Sequence, residues 1–241
     1  MDIVTLFCLP YAGGSASIYH KWRRHLDESI ELIPLELSGR GSRIKEPLYN
    51  SIENAVEDIY NQIQPFLNKP FSIFGHSMGS LLAYELSCKI KQKDGIEPVH
   101  LFVSGRKAPN CPERSPIEKK KIHLLPDDEF VEVVKSLGGT PDGLLDNSEY
   151  LDFFKPILRA DFRMIETYKY DDRDFKLNCD ITVLNGKEDD IAEEELAAWG
   201  PFTNGNSKIV EFNGGHFFIN HFAEPVVRLI NEEIKENLVC F

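Results

Sequence analysis

The clearest chemical signal in the sequence is a serine between two glycines at a predicted turn. Residues 75–79 are Gly-His-Ser-Met-Gly, and they follow a short apolar segment and precede a segment of helical period. A G-x-S-x-G at such a point is typical of a nucleophile elbow, a sharp strand-to-helix turn that exposes a reactive serine. The helix start would place free N–H groups and a positive dipole end beside the serine oxygen. We therefore predict Ser77 as a nucleophile rather than as part of a glycine-rich turn.

A serine nucleophile needs a base, and His216 is the best candidate among the seven histidines. It follows Gly214 and Gly215 after the last predicted strand, in the chain order of serine, acid and histidine that enzymes with this elbow use. His76 lies beside Ser77, but adjacent residues of an elbow point apart, so we interpret it as a packing residue. His221 would compete only if the last loop were longer. The remaining histidines are predicted to lie on the surface or in an inserted segment: His20, His25, His100 and His123.

An acid that orients the base is expected after the strand that precedes the last one. The apolar segment 181–184 leads into Asn-Gly-Lys-Glu-Asp-Asp, which offers Glu188, Asp189 and Asp190. Such a run of charges is more often a solvated acidic loop. Here one carboxylate is expected to hold the imidazole tautomer, and the spacing alone leaves all three open.

A tetrahedral oxyanion needs two backbone N–H donors. The first is expected at Met78, the residue after the nucleophile, and the second in the loop 10–14, Pro-Tyr-Ala-Gly-Gly, after the first strand. A phosphate-binding P-loop is excluded because G-x-x-x-x-G-K-[ST] is absent from the sequence.

The predicted elements alternate between strands and helices, which favours a mostly parallel sheet covered on both faces. Segments 3–9, 31–37, 71–74, 99–103, 181–184 and 208–212 are the predicted strands, and segments 18–26, 52–66, 78–93 and 223–235 are the predicted helices. Between about residues 108 and 173 only helical patterns occur, at 127–137 and 149–168. We interpret this insertion as a cap over one edge of a single domain.

Composition limits the function classes. The 241 residues are 42% hydrophobic and carry a net charge of −12, which supports a substantial core and disfavours binding to nucleic acid. The five cysteines are scattered without a C-x-x-C pair, so neither a zinc ribbon nor a disulfide framework is indicated. No basic leader and no apolar segment of membrane-spanning length is present, and we expect a soluble, cytoplasmic protein, by default a monomer.

Nearly the whole chain resembles the type II thioesterases of nonribosomal peptide and polyketide synthetases. The matching segments occur in the family's order, at 9–14 (LPYAGG), 38–43 (SGRGSR), 74–79 (FGHSMG), 104–106 (SGR), 125–127 (LPD), 137–141 (LGGTP), 159–163 (RADFR) and 214–218 (GGHFF).

The resemblance implies an α/β-hydrolase fold with a helical lid at about 108–173. The family pattern Gly-x-Asp-Asp has its second Asp catalytic, which corresponds to Asp189. Glu188 replaces the first Asp of this pattern, and Asp190 stands where the family often has Pro. Asp190 therefore remains a second, weaker candidate for the catalytic acid. The resemblance also implies that the amides of Met78 and Ala12 hold the oxyanion.

The implied activity is hydrolysis of acyl or aminoacyl thioesters on the phosphopantetheine arms of carrier proteins, with no metal or cofactor. A general serine esterase or an acyltransferase is the alternative, and a non-catalytic carrier-binding protein is a distant one. Six basic and two acidic residues lie between 106 and 123, a local charge of +4 in an acidic chain. Acidic carrier proteins would be attracted there, so we hypothesise a docking patch at Arg106, Lys107, Arg114, Lys119, Lys120 and Lys121.

Overall fold

The computed structural model describes residues 3–113, 120–139 and 148–238. Their central feature is a six-stranded sheet in the order β2-β1-β3-β4-β5-β6, with every neighbouring pair parallel. The strands are β1 (Val4–Leu9), β2 (Ile30–Pro34), β3 (Phe71–His76), β4 (His100–Ser104), β5 (Asp180–Gly186) and β6 (Ser207–Phe212). Each predicted strand is present, and Pro34 is tolerated because β2 is an edge strand.

The α-helices are α1 (Ile52–Ile63), α2 (Met78–Asp94), α3 (Asp127–Leu137), α4 (Ser148–Thr167), α5 (Glu193–Ala197), α6 (Phe218–His221) and α7 (Ala223–Leu238). The predicted start of α1 is confirmed, since Ser51 Oγ accepts a hydrogen bond from the Asn54 N–H at 3.3 Å. The predicted helix at 18–26 is instead a 3-10 helix over Ala16–Arg24. No helix of the described residues is long and apolar enough to span a membrane.

The sheet separates two apolar layers. Side chains of β1 alternate between them, with Phe7 and Leu9 on one face and Leu6 and Cys8 on the other. Helices α1 and α2 cover the first face, and α7 with the 3-10 helix covers the second. Both faces of the central strands β1, β3 and β4 are therefore buried, as continuous apolar runs in parallel strands predict, whereas the edge strand β6 is largely exposed.

Helices α3 and α4 stand between β4 and β5 in the chain, where the alternation was predicted to break. They share a small separate cluster of buried side chains that includes Phe130, Val134 and Leu158. No strand is formed by the described residues between 108 and 173. The parallel sheet brings the carboxyl ends of β1, β3, β4, β5 and β6 to one edge, and this edge lies next to α4.

Candidate active site

Ser77 occupies the tight turn between β3 and α2. Its φ of 55° makes it the one non-glycine residue with positive φ among the described residues. A Cβ on Gly75 would lie 2.0 Å from the Gly79 carbonyl oxygen, and a Cβ on Gly79 would lie 2.2 Å from the Leu9 carbonyl oxygen. Only glycine at both positions lets the strand, the turn and the helix approach this closely. The local strain is concentrated on the residue predicted as the nucleophile.

A buried hydrogen-bond network supports this turn from below. The Ser77 N–H donates to the Ser104 carbonyl oxygen at 2.7 Å, which ties the turn to β4. The Ser80 hydroxyl lies 2.8 Å from the same oxygen and 2.9 Å from the Gly75 carbonyl oxygen, and it accepts from the Ser104 N–H at 2.9 Å. Two neighbouring strands and a helix are thus connected directly beneath Ser77.

The two loops that follow β5 and β6 lie side by side, in close backbone contact. A Cβ on Gly186 would lie 2.4 Å from the Gly215 carbonyl oxygen. The Glu188 N–H donates to the Gly214 carbonyl oxygen at 3.0 Å. The acidic loop and the diglycine loop therefore have a defined relative position.

His216 pairs with one carboxylate of the acidic loop. Its Nδ1 lies 2.8 Å from Asp189 Oδ2, while Asp189 Oδ1 accepts from the Asp190 N–H at 3.0 Å. The Asp189 side chain is 10% exposed and that of His216 is 29% exposed. Glu188 and Asp190 are both exposed. The carboxylate nearest the imidazole is thus the one that the resemblance implied.

The loop after β1 leaves one suitable amide free. The Gly14 N–H donates to the Tyr11 carbonyl oxygen at 2.9 Å, and the Gly13 N–H donates to Asp161 Oδ2 at 2.8 Å. The Ala12 N–H donates to no atom in the described part of the chain. Met78 is the first residue of α2, so its N–H has no partner within the helix.

Ser77, Asp189 and His216 line one cavity of about 1250 Å³, together with Ala12. The structure contains no direct hydrogen bond between Ser77 Oγ and the imidazole within residues 3–113, 120–139 and 148–238. Catalytic hydrogen bonds are often long before substrate binds. Much of the cavity wall is apolar and comes from α3 and α4, namely Val134, Leu137, Phe154, Leu158, Phe162 and Ile165.

The other histidines lie in different surroundings. His76 is fully buried, and its Nδ1 lies 2.9 Å from Ser104 Oγ. Burial, followed by the proximity of His216, lowers the pKa of His76 well below its ordinary value, so this ring is neutral. Its position agrees with the predicted packing role. His123 Nδ1 pairs with Glu166, and His221 lines the cavity at the end of α6. The prediction for His100 was wrong, because it is the first residue of β4, is 1% exposed and has its Nε2 2.8 Å from Thr182 Oγ1.

A buried ion pair at the edge of the site was not assigned a role from the sequence. Arg40 and Asp161 form two hydrogen bonds of 2.7 and 2.6 Å, and they are 3% and 0% exposed. Burial alone would lower the pKa of Arg40, but the Asp161 carboxylate outweighs this effect and raises that pKa. Each residue belongs to a segment that carried the family resemblance, which was the available signal. The sequence offered no reason to pair two residues 121 positions apart.

The hypothesised docking residues are partly described. Lys107 lies 3.8 Å from Glu195, Lys120 lies 3.5 Å from Glu129, and Lys121 lies 3.7 Å from Glu113. Arg106 lines the cavity. Arg114 and Lys119 lie outside the described residues. Among the described residues, no cluster of three or more His, Cys, Asp or Glu could hold a metal ion.

The parallel sheet, the serine elbow after its third strand and the histidine after its last strand define an α/β-hydrolase. Residues 4–234 match the family model described as thioesterase domain, so the chain belongs to the thioesterase family.

The chain is similar to the gramicidin S biosynthesis protein GrsT of Aneurinibacillus migulanus, with 37% identity over 95% of this chain and 88% of that protein. The human medium-chain S-acyl fatty acid synthase thioesterase is 34% identical over 97% of this chain and 85% of its own. The crystal structure of ClbQ from the colibactin NRPS/PKS pathway superimposes with a TM-score of 0.93 at 36% identity and covers 100% of both chains.

Proposed function

We propose that this thioesterase is a type II, editing enzyme, which hydrolyses acyl or aminoacyl thioesters on the phosphopantetheine arms of carrier proteins in nonribosomal peptide or polyketide synthesis. One observation carries the proposal: a strained serine, a histidine paired with a carboxylate and the available amide of Ala12 border one cavity. Similarity to proteins of peptide and polyketide pathways supports the carrier-bound substrate.

In the proposed mechanism, Ser77 Oγ attacks the thioester carbonyl carbon while His216 Nε2 takes the hydroxyl proton. Asp189 holds the imidazole tautomer and stabilises the imidazolium. The N–H groups of Met78 and Ala12 stabilise the oxyanion. Collapse of the tetrahedral intermediate breaks the C–S bond, and the imidazolium returns its proton to the leaving thiolate.

The acyl-serine is then hydrolysed by the same groups. His216 takes a proton from water, the resulting nucleophile attacks the ester carbonyl, and the proton passes to Ser77 as the acid leaves. Every step uses side chains and amides of this chain, so we propose that no metal or cofactor takes part. The arm of the carrier protein enters as part of the substrate.

We propose that the insertion at about 108–173 serves as the lid of this site. Its apolar side chains in the cavity wall support contact with an acyl group. We also propose a monomer in the cytoplasm. Cys8, Cys88 and Cys179 are free thiols, in agreement with a reducing compartment.

Mass spectrometry of loaded carrier proteins tests the proposal. Carriers bearing short acyl, aminoacyl or long acyl groups are compared before and after treatment with the wild type and with Ser77→Ala. We expect the wild type to release the group and leave the free arm, and the variant to lose at least about 10³-fold of this rate. Faster hydrolysis of a small free ester than of any loaded carrier would instead favour a general esterase.

Two further experiments distinguish the remaining alternatives. Acyl transfer to an added nucleophile in preference to water would favour an acyltransferase. A fluorophosphonate probe, which reacts with activated serines, should label the wild type and not Ser77→Ala. Absence of labelling in the wild type would favour a non-catalytic carrier-binding protein.

Carrier docking at the basic segment has its own test. Lys120 and Lys121 face glutamates in exposed pairs, which contribute little and can exchange partners with an acidic carrier. Changing Lys119, Lys120 and Lys121 to Glu should slow turnover of carrier-bound substrate and spare a small thioester. Equal loss on both substrates would reject docking at this segment.

A further inference from the structure

The buried Arg40–Asp161 pair joins helix α4 to the loop that carries the proposed oxyanion donor. Asp161, on α4, accepts hydrogen bonds from Arg40 Nη1 and Nη2 at 2.7 and 2.6 Å and from the Gly13 N–H at 2.8 Å. Arg40 Nη1 also lies 3.2 Å from the Gly14 carbonyl oxygen. The two side chains therefore bind both the N–H of Gly13 and the carbonyl of Gly14.

Burial makes the Arg40–Asp161 ion pair costly to break. Asp161 is 0% exposed and Arg40 is 3% exposed, so neither charge has access to water. Removing one partner from a buried pair leaves an uncompensated charge, which is far more costly than losing a surface ion pair. The carboxylate consequently stays beside Gly13 for as long as α4 remains packed on the sheet edge.

The contact with Gly13 determines which amide of the loop is free. Because the Gly13 N–H is committed to Asp161, the peptide plane between Ala12 and Gly13 is held in one orientation. The Gly14 N–H donates to the Tyr11 carbonyl oxygen, and that carbonyl shares a peptide plane with the Ala12 N–H, so this plane is held as well. Of the three amides, the one left without an acceptor in the described residues belongs to Ala12, which lines the cavity. Gly13 has a φ of +76°, which strains any other residue, and a Cβ there would lie 2.6 Å from Leu158 Cδ2 of α4 and push that side chain aside.

We infer that Asp161 is a positioning residue for the oxyanion loop: through Gly13 it orients the loop so that the Ala12 N–H points at the reacting carbonyl, while Arg40 neutralises its buried charge. The role rests on the proposed function, because it requires Ser77 chemistry and an oxyanion at Ala12. The inserted segment then does more than cover the substrate, since its helix α4 holds part of the catalytic geometry.

The first test is Asp161→Asn, assayed with a short-chain thioester. The amide keeps the size of the side chain, but it loses the charge and one acceptor oxygen. We expect kcat to fall about 10- to 100-fold, as for small displacements of catalytic groups, with KM changed less than about threefold. The rate of fluorophosphonate labelling should fall by a similar factor, because its phosphonyl oxygen uses the same donors.

A double variant separates positioning from stability. Arg40→Met combined with Asp161→Leu removes both charges together, and such apolar replacement of a buried pair is often neutral for stability. A purely structural pair predicts that this variant recovers the wild-type kcat. The positioning role predicts a kcat that stays at least about tenfold low, because Gly13 has no acceptor.

Glu85→Gln is the matched control. Glu85 pairs with Arg173 at 2.5 Å, in a mostly buried ion pair that lies outside the oxyanion loop and the cavity lining. This variant should lower the melting temperature and leave kcat near the wild-type value. All rates are measured at a temperature where circular dichroism shows each variant folded.

The outcomes are distinguishable. Three results would overturn the positioning role: a wild-type kcat in Asp161→Asn, recovery of kcat in the double variant, or an effect confined to KM. If the wild type still hydrolyses the thioester in these experiments, the proposed function stays intact. An inactive wild type, or full activity in Ser77→Ala, would instead overturn the proposed function. Low kcat with unchanged KM in both site variants, beside a normal Glu85→Gln, supports the role of Asp161.

Discussion

Replacing the carboxylate that faces His216 is the sharpest probe of the proposed mechanism. Asp189→Asn keeps the shape of the side chain, but it removes the negative charge 2.8 Å from Nδ1. The amide can also present an N–H to Nδ1, which would favour the tautomer in which Nε2 carries a proton and cannot act as a base. Both effects act on the step in which the imidazolium forms.

The size of the loss follows from the geometry. Two unit charges separated by the 2.8 Å of this contact attract by about 6 kcal/mol at an effective dielectric constant of about 20. His216 is 29% exposed, and solvent screening reduces the value to about 4–5 kcal/mol. Since each 1.36 kcal/mol is a factor of ten, kcat should fall about 10³- to 10⁴-fold. The same range is expected when a catalytic histidine loses its orienting carboxylate.

The assay is single-turnover hydrolysis of a short thioester, with release of the thiol followed optically. The acidic loop provides two neighbouring comparisons. Glu188→Gln removes an exposed charge one position away and should stay within about twofold of the wild type. Asp190→Asn should lose less than about tenfold. Retention of more than a tenth of kcat by Asp189→Asn, or an equal loss in Asp190→Asn, would refute this account of the acid.

Two predictions concern the scaffold. Gly79→Ala places a Cβ 2.2 Å from the Leu9 carbonyl oxygen. We therefore expect the free energy of unfolding, measured by urea denaturation, to fall by more than about 3 kcal/mol. Gly200→Ala, which meets no atom within 4 Å, should change stability by less than about 0.5 kcal/mol, and equal effects would contradict the steric explanation. Burial lowers the pKa of His100 to about 4 in the folded protein, whereas the unfolded chain has the ordinary histidine pKa of about 6.5. Between these two pH values only the unfolded chain binds the proton, so the free energy of unfolding falls as the pH drops from about 6.5 to about 4. His100→Asn should flatten that fall by about 1.4 kcal/mol per pH unit, and parallel stability curves for the two proteins would show the reasoning to be wrong.

Local patterns predicted most elements, because each has a local cause. The helical pattern of segment 127–137 led to bounds that agree with Asp127–Leu137 of α3. Ser51 marked the start of α1 through its side-chain oxygen. The exception is the 3-10 helix at Ala16–Arg24, where apolar spacing suited a helix but did not distinguish its type. Its side chains Tyr19 and Trp22 nevertheless pack against Phe74 of β3.

The candidate site was partly accessible from the sequence. The glycines around Ser77 and the pair before His216 mark turns in which backbone geometry excludes side chains, so their signal is local. The acid was different, because three carboxylates in a row share every local property. Resemblance to a family indicated Asp189. The physical reason that its carboxylate meets the imidazole is the backbone hydrogen bond from the Glu188 N–H to the Gly214 carbonyl oxygen, which fixes the two loops side by side.

The sequence by itself determined the alternation of elements, the strained serine turn and the helical insertion, because hydrophobic period, capping and glycine requirements act over a few residues. Only the tertiary structure decided that Asp161 of the insertion would meet Arg40 and Gly13 at the oxyanion loop. Such contacts depend on how distant segments pack against one sheet edge, and burial is what makes the meeting of two charges there both costly and specific.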